Sequence, residues 1–536
     1  MHLNKADLKN TAKWESKGYR LPAFDYEKTT ADTLHNPVWI HFGAGNIFRS
    51  FPAVLMQTLL EKGAAHTGII VGEGFDFDII DRIYRPHDNL SLLVTLNSDG
   101  TVDRQVVASV AAAWKCGAAY STEWADFKAA FEKPSLQLVT FTITEKGYAL
   151  SRGGGSFFPA VTADFESGPE GPLTGMMSKI TALVYHRYLC GKRKLALCSI
   201  DNCSRNGEKL QTAVTTVAGK WVENGFCGSG FLSYLNNSVS FPWSMIDKIT
   251  PRPAESVQKI LTEDGFADTG ITVTGMNTYI APFVNAEKPQ YLVIEDDFPN
   301  GRPELEKAGV MFTDRDTVMK VERMKVCTCL NPLHTCLAVF GCLLGYTRIS
   351  DEMKNPVLNT MVRRIGYDEG LPVVSDPGII SPEAFLKEVL EERLPNPFIP
   401  DTPQRIATDT SQKLAIRFGE TIKAWETDGT LRTENLRLIP LVFAGWLRYV
   451  MGIDDSGNEF TPSSDPLPDT VRTRIKDVRL GDAGPFDEML RPLLADDSLW
   501  GVNLYDAGLA ARVAGYFTEL VAGIGAVQKT LERHVK

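Results

Sequence analysis

Three groups of polar residues in this chain have the types and spacing that reaction chemistry needs. The first runs Lys325-Val326-Cys327-Thr328-Cys329-Leu330-Asn331-Pro332-Leu333-His334. An amine, a carboxamide and an imidazole this close in sequence are groups that can exchange a proton and form hydrogen bonds with a bound ligand. Asn331 followed by Pro332 predicts a helix start, with asparagine as the cap and proline at the first helical position. That places His334 in the first turn, near Asn331. Leu330, Leu333, Leu337, Val339 and Phe340 surround the trio with apolar side chains. Lys325 must therefore snorkel outward or occupy a polar pocket. One histidine near a buried helix start is ordinarily a satisfied core residue. Burying lysine, asparagine and histidine together without a role is costly.

The second group is Gly43-Ala44-Gly45-Asn46, directly after the strand-like Val38-Trp39-Ile40-His41-Phe42. Ahead of it, Phe51, Val54, Leu55, Leu59 and Leu60 share one helical face. Glycines between a strand and a helix let backbone N–H groups approach a pyrophosphate. The third glycine of the dinucleotide fingerprint is replaced by Phe48, so a plain tight turn fits equally well. The next strand-like run, residues 68–72, ends at Glu73. An acid there binds a ribose 2′-hydroxyl and repels a 2′-phosphate, which favours NAD over NADP. Asp76 is the rival for that role, and a solvated loop charge is the bland reading of either acid. The third group, Ser199-Ile200-Asp201-Asn202-Cys203-Ser204-Arg205-Asn206-Gly207, follows a strand-like run and precedes a helix expected near Glu208. Ligand sites gather at such carboxyl ends of strands, although Asp-Asn and Asn-Gly are also ordinary turn residues.

The elements that must position these groups change character along the chain. Strand-like runs at residues 38–42, 68–72, 137–144 and 194–200 alternate with helical segments, the pattern of a parallel sheet with helices on its faces, and past residues 291–294 the texture changes. Beyond Asn300-Gly301-Arg302-Pro303 nearly every apolar pattern is helical, as in residues 383–394, 436–450 and 507–531. The predicted architecture is an α/β Rossmann-type dinucleotide-binding domain over residues 1–302, followed by a mostly α-helical domain over 303–536. Residues 151–158 and 454–469 are predicted loops.

With 536 residues, 43% hydrophobic, the chain has material for a large core without metals or disulfides. Its net charge of −10, without a basic cluster, argues against nucleic acid or anionic lipid as partner. The first residues lack an apolar signal-peptide core, and the apolar run at 336–346 is too short to cross a bilayer. A cytoplasmic location is the expectation. The 9 cysteines form no C-x-x-C pair, and with 8 histidines and no H-E-x-x-H motif no metal site is predicted.

Taken together, these groups resemble the mannitol dehydrogenase family of long-chain polyol and uronate dehydrogenases. The matching pieces include Gly43-Ala44-Gly45-Asn46-Ile47-Phe48-Arg49, Thr144-Glu145-Lys146-Gly147-Tyr148 and Asp201-Asn202 with Asn206-Gly207. Phe241-Pro242-Trp243-Ser244-Met245-Ile246-Asp247-Lys248-Ile249-Thr250-Pro251, Val293-Ile294-Glu295-Asp296, the Lys325 segment, Asn396-Pro397 and Arg405-Ile406-Ala407-Thr408-Asp409-Thr410-Ser411-Gln412-Lys413-Leu414 follow in the same order. The resemblance implies a metal-independent NAD enzyme in which Lys325 is the general acid/base and Asn202 and Asn331 hydrogen-bond the reacting oxygen. His334 would orient the substrate, and Glu322 would connect the lysine to solvent. Gly43, Gly45, Asn46, Ile47, Glu73, Thr144 and Glu145 are the expected cofactor contacts. Asp247, Arg405, Lys413 and Arg364 are the expected substrate contacts, the cations serving a carboxylate. One departure stands out: the family usually places its asparagine five residues after the lysine, and here the interval is six.

The string around Asn331 looks most like the fructuronate reductase branch, which implies NADH-dependent reduction of D-fructuronate at C5 to D-mannonate. Mannitol–fructose interconversion and tagaturonate reduction are the alternatives, and a dinucleotide-binding sensor without turnover is the non-enzymatic one. A small sugar acid or polyol is the expected partner, and the chain is expected to act as a monomer.

Overall fold

The computed structural model describes residues 1–152 and 155–536. Gly153 and Gly154, inside the loop expected at 151–158, lie outside the described residues; beside them Ser151 and Phe157 pair in a β-bridge. The chain divides into two compact units, one of residues 1–97 and 101–319, the other of residues 98–100 and 320–536.

The first unit is built on six strands: β1 (Trp39–Phe42), β2 (Ile69–Glu73), β3 (Val110–Lys115), β4 (Leu138–Phe141), β5 (Leu195–Ser199) and β6 (Val239–Ser240). They form one sheet in the order β3-β2-β1-β4-β5-β6, every neighbouring pair parallel. This is the doubly wound order in which the direction of winding reverses between β1 and β4, and ligands bind beyond the strand ends at that reversal. The residue types explain the sheet. Every residue of β1, β2, β4 and β5 is buried, as a parallel sheet covered on both faces requires. Alternate side chains enter opposite cores: Ile40, Phe42, Val139 and Phe141 join one apolar cluster, and Trp39, Ile69, Val71 and Leu138 the other.

The predicted strand over 137–144 ends at Phe141. Its last residues leave the sheet because the N–H groups of Ile143 and Thr144 are taken by the Asp201 carboxylate. Two smaller sheets were not legible in the sequence. One joins Tyr19–Arg20, Val102–Val107, Ser91–Leu96 and Phe283–Glu287; the other joins Ser244–Asp247, Tyr291–Glu295 and Met311–Thr313. Apart from the hairpin of Ser91–Leu96 with Val102–Val107, both pair segments that are not neighbours in the chain.

The second unit is helical. Its most buried elements are Asn331–Leu343 and Leu438–Val450, the latter packed on Ala510–Leu520. The single helix expected over 507–531 is broken by Gly523 and Gly525, which take positive φ of 145° and 74°. Residues 315–343 form a helical run long and apolar enough to cross a membrane by length and composition, longer than the stretch read from the sequence. Most of that run is buried inside the protein, as a core helix is.

Candidate active site

In the α/β unit the glycine loop is built by the strands on either side of it. Gly43 takes φ 107°, and a Cβ there would lie 2.1 Å from the Thr142 carbonyl oxygen, so only glycine fits. Gly45 caps the helix Asn46–Ser50 in extended conformation, with open space where its Cβ would be. Gly45, Asn46 and Ile47 are half-buried at this edge, while Gly43 and Ala44 are buried. The loop therefore leaves room for a close backbone approach, the feature a pyrophosphate needs. His41 beneath it is neutral scaffolding: burial pushes its imidazole down to about 3. Its ring nitrogens lie 2.6 and 2.8 Å from the hydroxyls of Thr140 and Thr142.

Glu73 sits at the end of β2, but not as an open ribose acceptor. One carboxylate oxygen accepts the Ala44 N–H at 2.9 Å, and the other accepts those of Phe75 and Asp76 at 2.9 and 3.2 Å. Burial raises its pKa, against the pull of these three donors. Glu73 thus holds the glycine loop, helped by Tyr84, whose hydroxyl donates to the Ala44 carbonyl at 3.0 Å. The rival Asp76 is also buried and accepts from Thr274 Oγ1 at 2.7 Å. The expectation of a free acid for the ribose is corrected for Glu73.

At the ends of β4 and β5 stands Asp201, part of the third polar group but given no role from the sequence. Its carboxylate accepts the Ile143 and Thr144 N–H groups at 2.9 and 3.0 Å and the Tyr148 hydroxyl at 2.6 Å. Thr144, at φ 64° and ψ 160°, is held in a conformation that non-glycine residues rarely adopt. Asn202 next to Asp201 is exposed, so its amide faces solvent. Asn206 is structural: it donates to Asp201 O and Ser244 O and accepts from Ser244 N, tying the helix Asn206–Glu223 to a neighbouring strand. Glu145 is exposed and paired with Lys209 at 2.5 Å. Asp247 is buried at the end of its strand.

In the helical unit, Glu322 lies on the helix Arg315–Arg323, half-buried, one turn before Lys325. Lys325 is 5% exposed and sits in a π-helical turn, Met324–Cys329, closed by a hydrogen bond from Leu330 N to Lys325 O of 3.2 Å. A π turn holds one residue more than an α turn. This turn spans most of the six-residue interval between Lys325 and Asn331. The following helix begins at Asn331, with Leu330 as cap residue and Pro332 in the first turn, so Asn331 does not cap it as expected. Its carboxamide is left without a protein partner among the described residues. His334 follows one turn on, its Nε2 3.3 Å from Asp401 Oδ2. Asp401 also pairs with Arg405. Burial pushes the Asp401 carboxyl up, and His334 with Arg405 outweighs this, leaving it below its ordinary value.

Lys413 donates to Thr408 O at 2.5 Å, and one turn later Arg417 donates to Thr335 Oγ1 at 2.5 Å. Burial, then the charge of Arg417, lowers the Lys413 pKa. Burial alone brings Arg417 down to about 10, still protonated at neutral pH. Asp401 and Arg417 are the residues of this group that the sequence did not reveal. Arg364 is not brought into it. Its guanidinium binds Asp368 at 3.2 Å and the carbonyl oxygens of Val535 and Lys536, fastening the chain terminus. A separate cavity of about 940 Å³ in this unit, lined by residues such as Tyr449, Ser463, Arg472 and Lys476, contains none of the expected site residues.

Residues 38–307 match the mannitol dehydrogenase Rossmann domain, and residues 317–521 match the mannitol dehydrogenase C-terminal domain. The chain belongs to the mannitol dehydrogenase family. It is 51% identical to the D-mannonate oxidoreductase of Thermotoga maritima, over 100% of this chain and 99% of that one. It is 29% identical to the mannitol 2-dehydrogenase of Cereibacter sphaeroides, over 85% of this chain and 88% of the other. The fold is that of Pseudomonas fluorescens mannitol 2-dehydrogenase, solved with NAD and D-mannitol: TM-score 0.70 and 24% identity, over 99% of both chains.

Proposed function

We propose that this protein interconverts D-fructuronate and D-mannonate with NAD(H). The observation that carries the reading is full-length identity of 51% with a D-mannonate oxidoreductase. In the reducing direction a hydride leaves the nicotinamide of NADH for the C5 carbonyl carbon, and the carbonyl oxygen takes a proton from the Lys325 ammonium. The products are NAD, D-mannonate and a neutral lysine that solvent reprotonates, with Glu322 one turn away as the connecting carboxylate. In oxidation Lys325 takes the hydroxyl proton instead. Asn331 donates a hydrogen bond to the developing alkoxide, worth on the order of 3 kcal/mol when well placed. Its uncapped, unpartnered carboxamide supports that role. His334 orients the substrate, itself held beside Asp401. Asn202 is the amide donor of the α/β unit.

The loop Gly43, Gly45, Asn46 and Ile47 binds the dinucleotide phosphates in this reading, and Thr144 and Glu145 flank the cofactor. Residues 1–302 then serve the cofactor and 303–536 the substrate. Lys413 and Arg417 place two cations one turn apart, and together with Arg405 they are the candidates for the substrate carboxylate.

Lys325→Ala tests the mechanism. The expected result is a fall in kcat of about 100- to 10,000-fold, with NADH affinity by fluorescence titration unchanged. Near-normal turnover of D-mannonate in this variant would remove Lys325 from the reaction.

A further inference from the structure

In the α/β unit, away from the residues assigned above, two helices end side by side. Glu132 is the last residue of Ser121–Glu132, and His186 and Cys190 stand one turn apart at the end of Met176–Leu189, Cys190 being its cap residue. His186 Nε2 lies 2.7 Å from Glu132 Oε1 and 3.7 Å from Cys190 Sγ. One ligand atom from each residue falls within 4.8 Å of the others. Around tetrahedral zinc, bond lengths of about 2.3 Å to sulfur and 2.0–2.1 Å to nitrogen put those two atoms roughly 3.5 Å apart. The sulfur–nitrogen separation is already close to that value. The same geometry puts nitrogen and oxygen roughly 3.3 Å apart, so the glutamate oxygen moves outward by about 0.6 Å from its 2.7 Å contact.

The ligands are held by a rigid frame. Arg193 Nη1 donates to Glu132 O and Cys190 O, at 2.8 Å each, bridging the two helix ends. Arg187, fully buried, donates to Phe131 O, Lys133 O and Leu136 O from below. Both helices present their carbonyl ends, where the dipole favours a cation. Glu132 is exposed and the other two are half-buried, so an ion has access from solvent. The ligand set of thiolate, imidazole and carboxylate suits zinc-class ions, and not magnesium or calcium.

We propose that Glu132, His186 and Cys190 form a site for a zinc-class divalent cation that fastens the two helix ends together, with water as the fourth ligand. On binding, Cys190 releases its thiol proton to solvent and His186 exchanges its contact with Glu132 for the metal, its remaining proton on Nδ1. The spacing was invisible in the sequence because Glu132 lies 54 residues from His186.

Cobalt(II) titration of the reduced full-length protein tests this. The expected result is one equivalent bound, with tetrahedral d–d bands and a thiolate-to-cobalt charge-transfer band that zinc abolishes. Cys190→Ser should remove the charge-transfer band, and His186→Ala should weaken binding at least tenfold. Zinc should raise the thermal midpoint of the wild type only. Metal-free midpoints matching the wild type show that both variants fold. Absence of the bands, or bands unchanged in both variants, would overturn the proposal.

Discussion

At the scale of single residues, the structure changes what two carboxylates are for. Glu73 was legible as the acid at the end of β2, but its three backbone partners make it the fastener of the glycine loop. Glu73→Ala is therefore expected to weaken NAD and NADP alike by about tenfold or more, from loss of charge-assisted hydrogen bonds. A selective gain for NADP would show instead that Glu73 reads the ribose. Glu352 was not singled out at all. It is fully buried against Gly341, neither carboxylate oxygen has a hydrogen-bond partner, and burial pushes its carboxyl from 4.5 up to about 9. Between those values the folded chain holds a proton that the unfolded chain has lost, so stability falls as pH rises. The expected slope from this group is about 1.4 kcal/mol per pH unit between pH 5 and 8. Denaturant unfolding at both pH values should show the slope flattened in Glu352→Gln. An unchanged slope in that variant would assign the dependence elsewhere.

At the scale of elements, local pattern revealed strands and helices, and distant partners set their ends. The strand after residue 137 stops early because Asp201, some sixty residues on, takes its N–H groups. The helix Leu438–Val450 starts where Glu369 accepts the N–H groups of Arg437, Leu438 and Ile439 at 2.7, 2.7 and 2.8 Å. No sequence window contains both partners. Glu369→Ala leaves three backbone donors without their acceptor at the start of a core helix. The expected cost is roughly 2–3 kcal/mol, read as a lower thermal midpoint. A loss below half a kcal/mol would mean that water replaces the carboxylate. The π turn carrying Lys325 belongs to this scale as well. The sequence revealed the longer lysine–asparagine interval, and the backbone places a π turn, Met324–Cys329, across most of it.

At the scale of the whole molecule, an α/β unit and a helical unit were both readable from the switch in apolar period near residue 303. A parallel sheet was implied by the glycine loop and the alternation of strands and helices, but its edge strands Val110–Lys115 and Val239–Ser240 and the order of the six were not. The smaller sheets were not, because their strands lie scattered between residues 19 and 313 and carry no short-range hairpin signal for most of their pairings. The candidate catalytic types were legible, since lysine, asparagine and histidine fall within one segment. The cations that would meet a carboxylate were only partly so: Lys413 and Arg405 stood out, Arg417 did not, and Arg364 proved to fasten the terminus. In the function proposed above, this family fold, with that cluster, acts on a sugar acid. The most direct test is the ratio of kcat/KM for D-mannonate and D-mannitol with NAD, measured on the same enzyme at neutral pH. A preference for D-mannonate of about a hundredfold or more is expected. Equal or better turnover of D-mannitol would contradict the sugar-acid reading and return Lys413, Arg405 and Arg417 to structural roles.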